Sequence, residues 1–347
     1  MSHFMSYDRF AELQHDHPPF VLQIGANDGI LDDPINHILT NTGLNWHGLL
    51  VEPLADLYEK LKKTYASCNT PDERLKFANV AIVEKDDIGP DGMVEMERVA
   101  DVETKVADGT VRPWAPGIPT LSGRARNPMK GMAAENKSYK RVNATTLSDL
   151  LAHHHVERID VLQIDVEGHD YSIFKQLDFK KYHPSVVNLE IEHMPKDELQ
   201  STKELLTRNG YFFITTRDDL FAVDENIIAQ MITPEETAHY QKYIDNGAIK
   251  DPAKLPYIVA LLDEAAVHMS GVTEPAHSSS PVKKVFDDGY VQNFLKEKGK
   301  IKLHVVPQGM EAIERMRPYF KDDYCLSEFL ENELPEIHRE KPSQGRG

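Results

Sequence analysis

The chain has 347 residues, 40% of them apolar and 27% charged, with a formal net charge of −17. That composition suits a globular protein of one large or two modest domains. The acidic balance excludes a protein that coats nucleic acid and opposes docking on an anionic membrane surface, because both depend on clustered Lys and Arg.

The N-terminal stretch from Met1 to Pro19 is polar and lacks the apolar core of a signal peptide. Phe20 to Ile24 is an apolar run that stops at Gly25, and Leu49 to Val51 is a second that stops at Glu52-Pro53. Both read as strands. Ile30 to Asn41 reads as a helix capped by Gly43. Leu54, Leu57, Tyr58 and Leu61 have helical spacing, and Phe77 to Ile82 reads as a third strand. Residues 84–141, rich in Gly, Pro and charge, are too long for an ordinary connection. Thr146 to Asp149 has the form of a capping box before a helix. Ile159 to Val166 and Val186 to Ile191 read as buried strands, with a helix from Lys196 to Asn209 after the second. Tyr211 to Thr215 and Leu220 to Val223 are spaced to pair as a hairpin. Thr233-Pro234-Glu235-Glu236 opens a mainly helical segment over residues 226–347, whose last residues, from about Arg339, read as a disordered tail. The domain reading is therefore residues 1–225 with an insertion at 84–141, followed by a helical extension over 226–347.

No apolar run approaches the roughly 18 residues of a membrane span. Cys68 and Cys325 match no metal or disulfide spacing. We expect a cytoplasmic protein with a small-molecule partner and no nucleic acid. The C-terminal segment, with apolar positions such as Val282, Val285 and Phe286, is a candidate homodimer contact.

The sharpest local signal is Gln23-Ile24-Gly25-Ala26-Asn27-Asp28-Gly29, directly after a strand. Its glycines permit a tight turn and a close ligand approach. Glu52 stands at the end of the next strand, 23 residues after Gly29. A carboxylate there can accept hydrogen bonds from a ribose diol. Together the two features predict a nucleoside pocket at the carboxyl ends of adjacent parallel strands. The spacing is not G-x-G-x-x-G, which argues against a nucleotide-dependent oxidoreductase.

The chain resembles the FkbM-type S-adenosylmethionine-dependent methyltransferases. The resemblance rests on Gln23 to Gly29, Val51-Glu52-Pro53, Phe77 to Ala81, Val142 to Leu147 and Ile159 to Gly168, covering about residues 20–223. It implies an α/β fold of class I methyltransferase (Rossmann-like) type. Such a fold has a seven-stranded, mostly parallel sheet with helices on both faces and an antiparallel last strand. It implies methylation of a hydroxyl on a sugar, lipid or natural product. Carried onto this chain, Gly25, Asn27, Asp28 and Gly29 line the methionine end of the cofactor. Glu52 holds the ribose, Asn79 or Val80 lies beside the adenine, and Gln23 and Pro53 complete the cofactor set.

Methyl transfer to a hydroxyl gains from a base or a metal that lowers the hydroxyl pKa. Asp165 is expected to touch the cofactor or the acceptor, with His169 and His193 as candidate bases. Strand alternation would put Asp165 and Glu167 on one face, and Glu190 and Glu192 likewise. That places Glu167 and Glu190 on the substrate side. No metal is assigned, and the alternative is an Mg²⁺ or Mn²⁺ site from Asp165, Glu190 and His193.

The insertion has a charge split. Residues 84–110 carry a net −6 and residues 122–141 a net +5. Either the halves neutralise each other, or Arg124 and Arg126 belong to a lid that recognises an anionic acceptor. A non-catalytic assembly protein on the same fold is the further alternative.

Overall fold

The computed structural model describes residues 5–31, 33–68, 74–100, 120–121, 136–216, 218–269 and 305–339. The chain divides into two compact units. One comprises Phe10–Phe213 with Asp218–Asp224, and the other Met1–Arg9, Ile214–Arg217 and Glu225–Gly347.

A short helix α1 (Tyr7–Ala11) leads to β1 (Phe20–Ile24), α2 (Asn36–Thr40), β2 (His47–Val51), α3 (Ala55–Tyr65) and β3 (Leu75–Ala78). Next come β4 (Ala81–Ile82), β5 (Met93–Val99), β6 (Thr120–Leu121), β7 (Lys137–Thr145) and α4 (Leu147–His153). β8 (Val161–Ile164), α5 (Asp170–Phe174), β9 (Val186–Glu190), α6 (Lys196–Arg208), β10 (Tyr211–Thr215) and β11 (Asp219–Asp224) complete this part.

The main sheet has seven strands in the order β10-β11-β9-β8-β1-β2-β3. β3, β2, β1, β8 and β9 run parallel, and β11 is antiparallel to β9. The sheet is therefore mixed rather than purely parallel, with the antiparallel strand expected at the end of the chain order. The apolar runs form these strands because both faces are covered: every residue of β8 and β9 is buried. One face carries Leu22, Ile24, Leu49, Val51, Leu162 and Ile164 into a core with Phe174 and Leu206. Truncating any one of these leucines to Ala costs about 2–5 kcal/mol. Thr146 caps α4, its hydroxyl accepting the Asp149 N–H at 3.2 Å.

Three elements differ from the sequence reading. The helix expected over 30–41 is only α2, because Asp28 and Asp33 each accept two backbone N–H groups and hold turns instead. Gly43 then lies in a 3-10 turn, Thr42–Leu44, rather than at that helix's cap. The strand expected over 77–82 breaks at Asn79, so β3 and β4 belong to different sheets.

The insertion is in part a second, four-stranded sheet of order β4-β7-β5-β6. β5 and β7 pair antiparallel from Met93↔Asn143 to Val99↔Lys137. Here the charge split finds its use. Lys137 of β7 meets Glu97 of β5 at 3.4 Å, and Arg141 pairs with Asp91. The acidic and basic halves neutralise each other where they are described. Arg124 and Arg126 lie outside the described residues, as do Val282, Val285 and Phe286.

The second unit is mainly helical. Its helices are α7 (Glu225–Met231), α8 (Pro234–Asp245), α9 (Leu255–Met269), α10 (Val305–Met316) and α11 (Asp323–Arg339). Thr233 and Glu236 form a reciprocal capping box at α8, with Pro234 at the first helical position. Ala312, Ile313, Phe320, Leu326 and Phe329 are fully buried. Among the described residues no helix is long and apolar enough to cross a membrane.

Candidate active site

The sheet grows outward from β1 in two directions: β2 and β3 lie on one side, β8 and β9 on the other. The crevice beyond the carboxyl ends of β1 and β8 is therefore the topological switch point, where open α/β sheets bind ligands. Gly25 to Gly29 leave β1 there, Glu52 ends β2, and Asp165 to Gly168 leave β8.

The two glycines are required, for a reason the sequence did not give. A Cβ on Gly25 would lie 1.8 Å from the Asp165 carbonyl oxygen, and one on Gly29 would strike Tyr65 and Leu61. Both have φ in the left-handed region, +86° and +74°. They allow protein to approach protein, and the turn they make presents Asn27, itself at φ 50°.

Glu52 is 2% exposed. Its Oε2 accepts the Asn27 N–H at 3.1 Å and its Oε1 the Leu54 N–H at 2.8 Å. Burial nonetheless pushes its carboxyl up to about 8. The Asn79 amide donates to the carbonyls of Glu52 and Pro53 at 2.8 and 2.9 Å, so it fixes the end of β2. The Asp28 carboxylate is occupied by Ile30 and Leu31, so it shapes the turn. Beside this turn, the buried side-chain oxygens Asn27 Oδ1 and Gln23 Oε1 have no hydrogen-bond partner among the described residues. Gly25, Val51, Pro53, Val80 and His169 line an apolar cavity, with Met96 and Leu121 from the second sheet.

The residues expected on the acceptor side are arranged differently from the strand-alternation expectation. β8 ends at Ile164, and Glu167 turns to φ 59°, so Asp165 and Glu167 do not alternate on a strand face. Glu190 is buried at the end of β9, whereas Glu192 is exposed. Glu167, Glu190 and His193 come together: each offers a ligand atom within 4.8 Å of the others. His193 Nε2 is 3.2 Å from Glu167 Oε2 and 4.0 Å from Glu190 Oε1. The alternative metal set named Asp165, Glu190 and His193; the residues that come together here are Glu167, Glu190 and His193.

The hydrogen bond to Glu167 raises the His193 pKa. Burial, followed by Asp170, Asp165 and Glu167, drives the Glu190 pKa upward. Asp170, fully buried, is pushed up by the same cause, although it accepts the N–H groups of Val166 and Gly168, each at 3.2 Å. The sequence reading did not single out Asp170. Its signal was its place two residues after Gly168, where it ties the turn from within. Thr120 was also missed: its hydroxyl donates to the Glu167 carbonyl at 3.1 Å from the second sheet.

This is the stretch that comparison with known proteins recognises. A profile described as the Methyltransferase FkbM domain matches residues 23–213, more than half of the chain. The chain belongs to the FkbM methyltransferase family. The family region runs from the last residues of β1 into β10 and includes every site residue named above. The chain is also similar to the crystal structure of Methyltransferase FkbM from Methylobacillus flagellatus KT. Identity is 13% over 63% of this chain and 47% of that chain, with a TM-score of 0.38. The chain thus aligns with about half the length of that FkbM protein. No curated protein matches the chain.

Proposed function

We propose that the chain is an S-adenosylmethionine-dependent O-methyltransferase that methylates a hydroxyl of a small molecule. The observation that carries this is Glu52: a buried carboxylate at the end of the strand beside β1, next to the Gly25–Gly29 turn, within a chain of the FkbM family. The strand order, with its switch point at β1 and β8 and its antiparallel β11, agrees with what the resemblance implies.

The residues fit the cofactor. Each Glu52 oxygen accepts one backbone N–H, and the carboxyl keeps further hydrogen-bonding capacity, as acceptor or as O–H donor, for a ribose hydroxyl. Asn27 Oδ1, buried and unpartnered, suits a donor such as the amino group of the methionine end. Pro53 and Val80, on the cavity wall, suit an apolar base edge. When bound, S-adenosylmethionine supplies an electrophilic methyl group on a sulfonium.

The chain's own part is to position and to deprotonate. An in-line displacement gains mainly from orientation, which the turns at Gly25 and Gly168 supply by fixing both sides of the crevice. The acceptor hydroxyl must lose its proton. His169 lines the cavity with Gly25 and is the base in this reading, taking the proton at a ring nitrogen. His193 is the poorer base, because Glu167 favours its charged form, which has no lone pair to offer. Asp165 faces the cofactor or the acceptor from the turn after β8.

A thermal-shift titration tests the reading. A ligand that binds the native state raises the melting temperature by mass action. S-adenosylhomocysteine should raise it, and Glu52→Ala should abolish the rise. A rise with NAD alone would indicate an oxidoreductase, and no rise with either an assembly protein. His169→Gln should keep the rise and lose methyl transfer.

A further inference from the structure

We propose that Glu167, Glu190 and His193 hold one divalent cation of the Mn²⁺ type at the edge of the crevice. The three side chains come from two separate strand ends: Glu167 from the turn after β8, Glu190 from the last position of β9, and His193 from the loop beyond it. Metal–ligand bonds of about 2.1 Å set neighbouring donor atoms about 3.0 Å apart and opposite ones about 4.2 Å apart. The observed 3.2 and 4.0 Å about His193 Nε2 fall between those limits.

The donor set selects the ion. Two carboxylates and one imidazole suit Mn²⁺ better than Mg²⁺ or Ca²⁺, which prefer oxygen alone. A soft, thiolate-seeking ion finds no sulfur in this group.

Charge balance points the same way. Among the described residues no Lys or Arg forms an ion pair with Glu167 or Glu190; His193 is their partner. His193 lies closer to Glu167 than to Glu190, so the imidazole serves the two carboxyl groups unequally. A dication in its place satisfies both.

The surroundings orient the ligands, as outer groups do in built metal sites. Glu190 Oε2 accepts the Glu167 N–H at 3.1 Å, which aims Glu167 toward His193. The Thr120 hydroxyl holds the Glu167 carbonyl, and Asp170 holds the N–H groups on either side. Three protein ligands leave coordination positions open, and an acceptor oxygen bound there would lose its proton more readily. The cation site stands on these side chains alone, whether or not the methyl-transfer reading holds.

The test uses the full chain, freed of metal with EDTA and then titrated with MnCl₂. Free Mn²⁺ is followed by its electron paramagnetic resonance signal. One equivalent should bind. His193→Ala and Glu167→Gln should each weaken binding at least about tenfold, while the S-adenosylhomocysteine thermal shift is retained. His193 is partly exposed, so His193→Ala carries the test if Glu167→Gln does not fold. Mn²⁺ binding with no S-adenosylhomocysteine shift in the wild type would overturn the methyl-transfer reading and keep the cation site. No saturable Mn²⁺ binding, or binding unchanged in both variants, overturns the cation site.

Discussion

Both units bury glutamates, and they treat them in opposite ways. In the helical unit, Glu264 accepts the N–H and the hydroxyl of Thr215, each at 2.8 Å, and pairs with Arg315 at 2.8 Å. Glu333 meets the Tyr243 hydroxyl at 2.6 Å, His239 at 2.7 Å and Lys242 at 3.1 Å. Burial would raise the Glu333 pKa, but those three groups outweigh it and the net shift is downward. At the sheet's switch point, Glu52 and Glu190 shift upward because burial wins. A buried carboxylate with matched partners is part of the scaffold. One that burial leaves costly is a candidate for contact with a ligand, which is the role proposed above for Glu52 and Glu190.

Substitutions should break or sharpen that contrast, beginning with the largest effect. Glu264→Gln should lose about 3 kcal/mol in chemical denaturation, because it strands Arg315 in a partly buried site. An unchanged midpoint would remove Glu264 from the scaffold class. Next comes a pH dependence. Glu52 holds its proton more tightly folded than unfolded, so its contribution is full below about 4.5 and is lost as pH rises through about 8. Thermal melts across that window should fall for the wild type and fall less for Glu52→Gln; parallel curves would refute the assignment. Glu333→Gln should cost about 2 kcal/mol, the worth of hydrogen bonds to a charged group. Its sign with pH is opposite to that of Glu52: the wild-type advantage is present at neutral pH and disappears in acid. The smallest effect is a gain. In EDTA, Glu190→Gln should stabilise by about 1 kcal/mol, since a neutral amide suits that burial better. Added Mn²⁺ should then stabilise the wild type and not the variant.

Much of the fold was legible because burial on both faces writes strands as apolar runs. β1 and β10 were read to the residue, and β2, β8, β9 and β11 to within two residues at either end. The caps at Thr146 and Thr233 were legible because their hydrogen bonds are local. β7 was not legible: Lys137 to Arg141 is polar and becomes a strand only by pairing with Met93 to Val99, far away in sequence. The candidate site could be located from the sequence by its turns and strand ends, and its side-chain grouping could not. Glu52 and the Gly25–Gly29 turn stand where their spacing put them. Glu167 joined Glu190 and His193 because its backbone enters the left-handed region, which a non-glycine residue does not announce.

The second sheet begins and ends at one point. β4 and β7 lie side by side, Ala81 opposite Ala144 and Ile82 opposite Thr145. The chain therefore leaves the main fold and returns to it through a single narrow gate, with β3 before it and α4 after it. In engineering terms this is a graft junction. Segments of other lengths and chemistries could be spliced between Ile82 and Thr145 while the strands that carry Glu52, Asp165 and Glu190 keep their register.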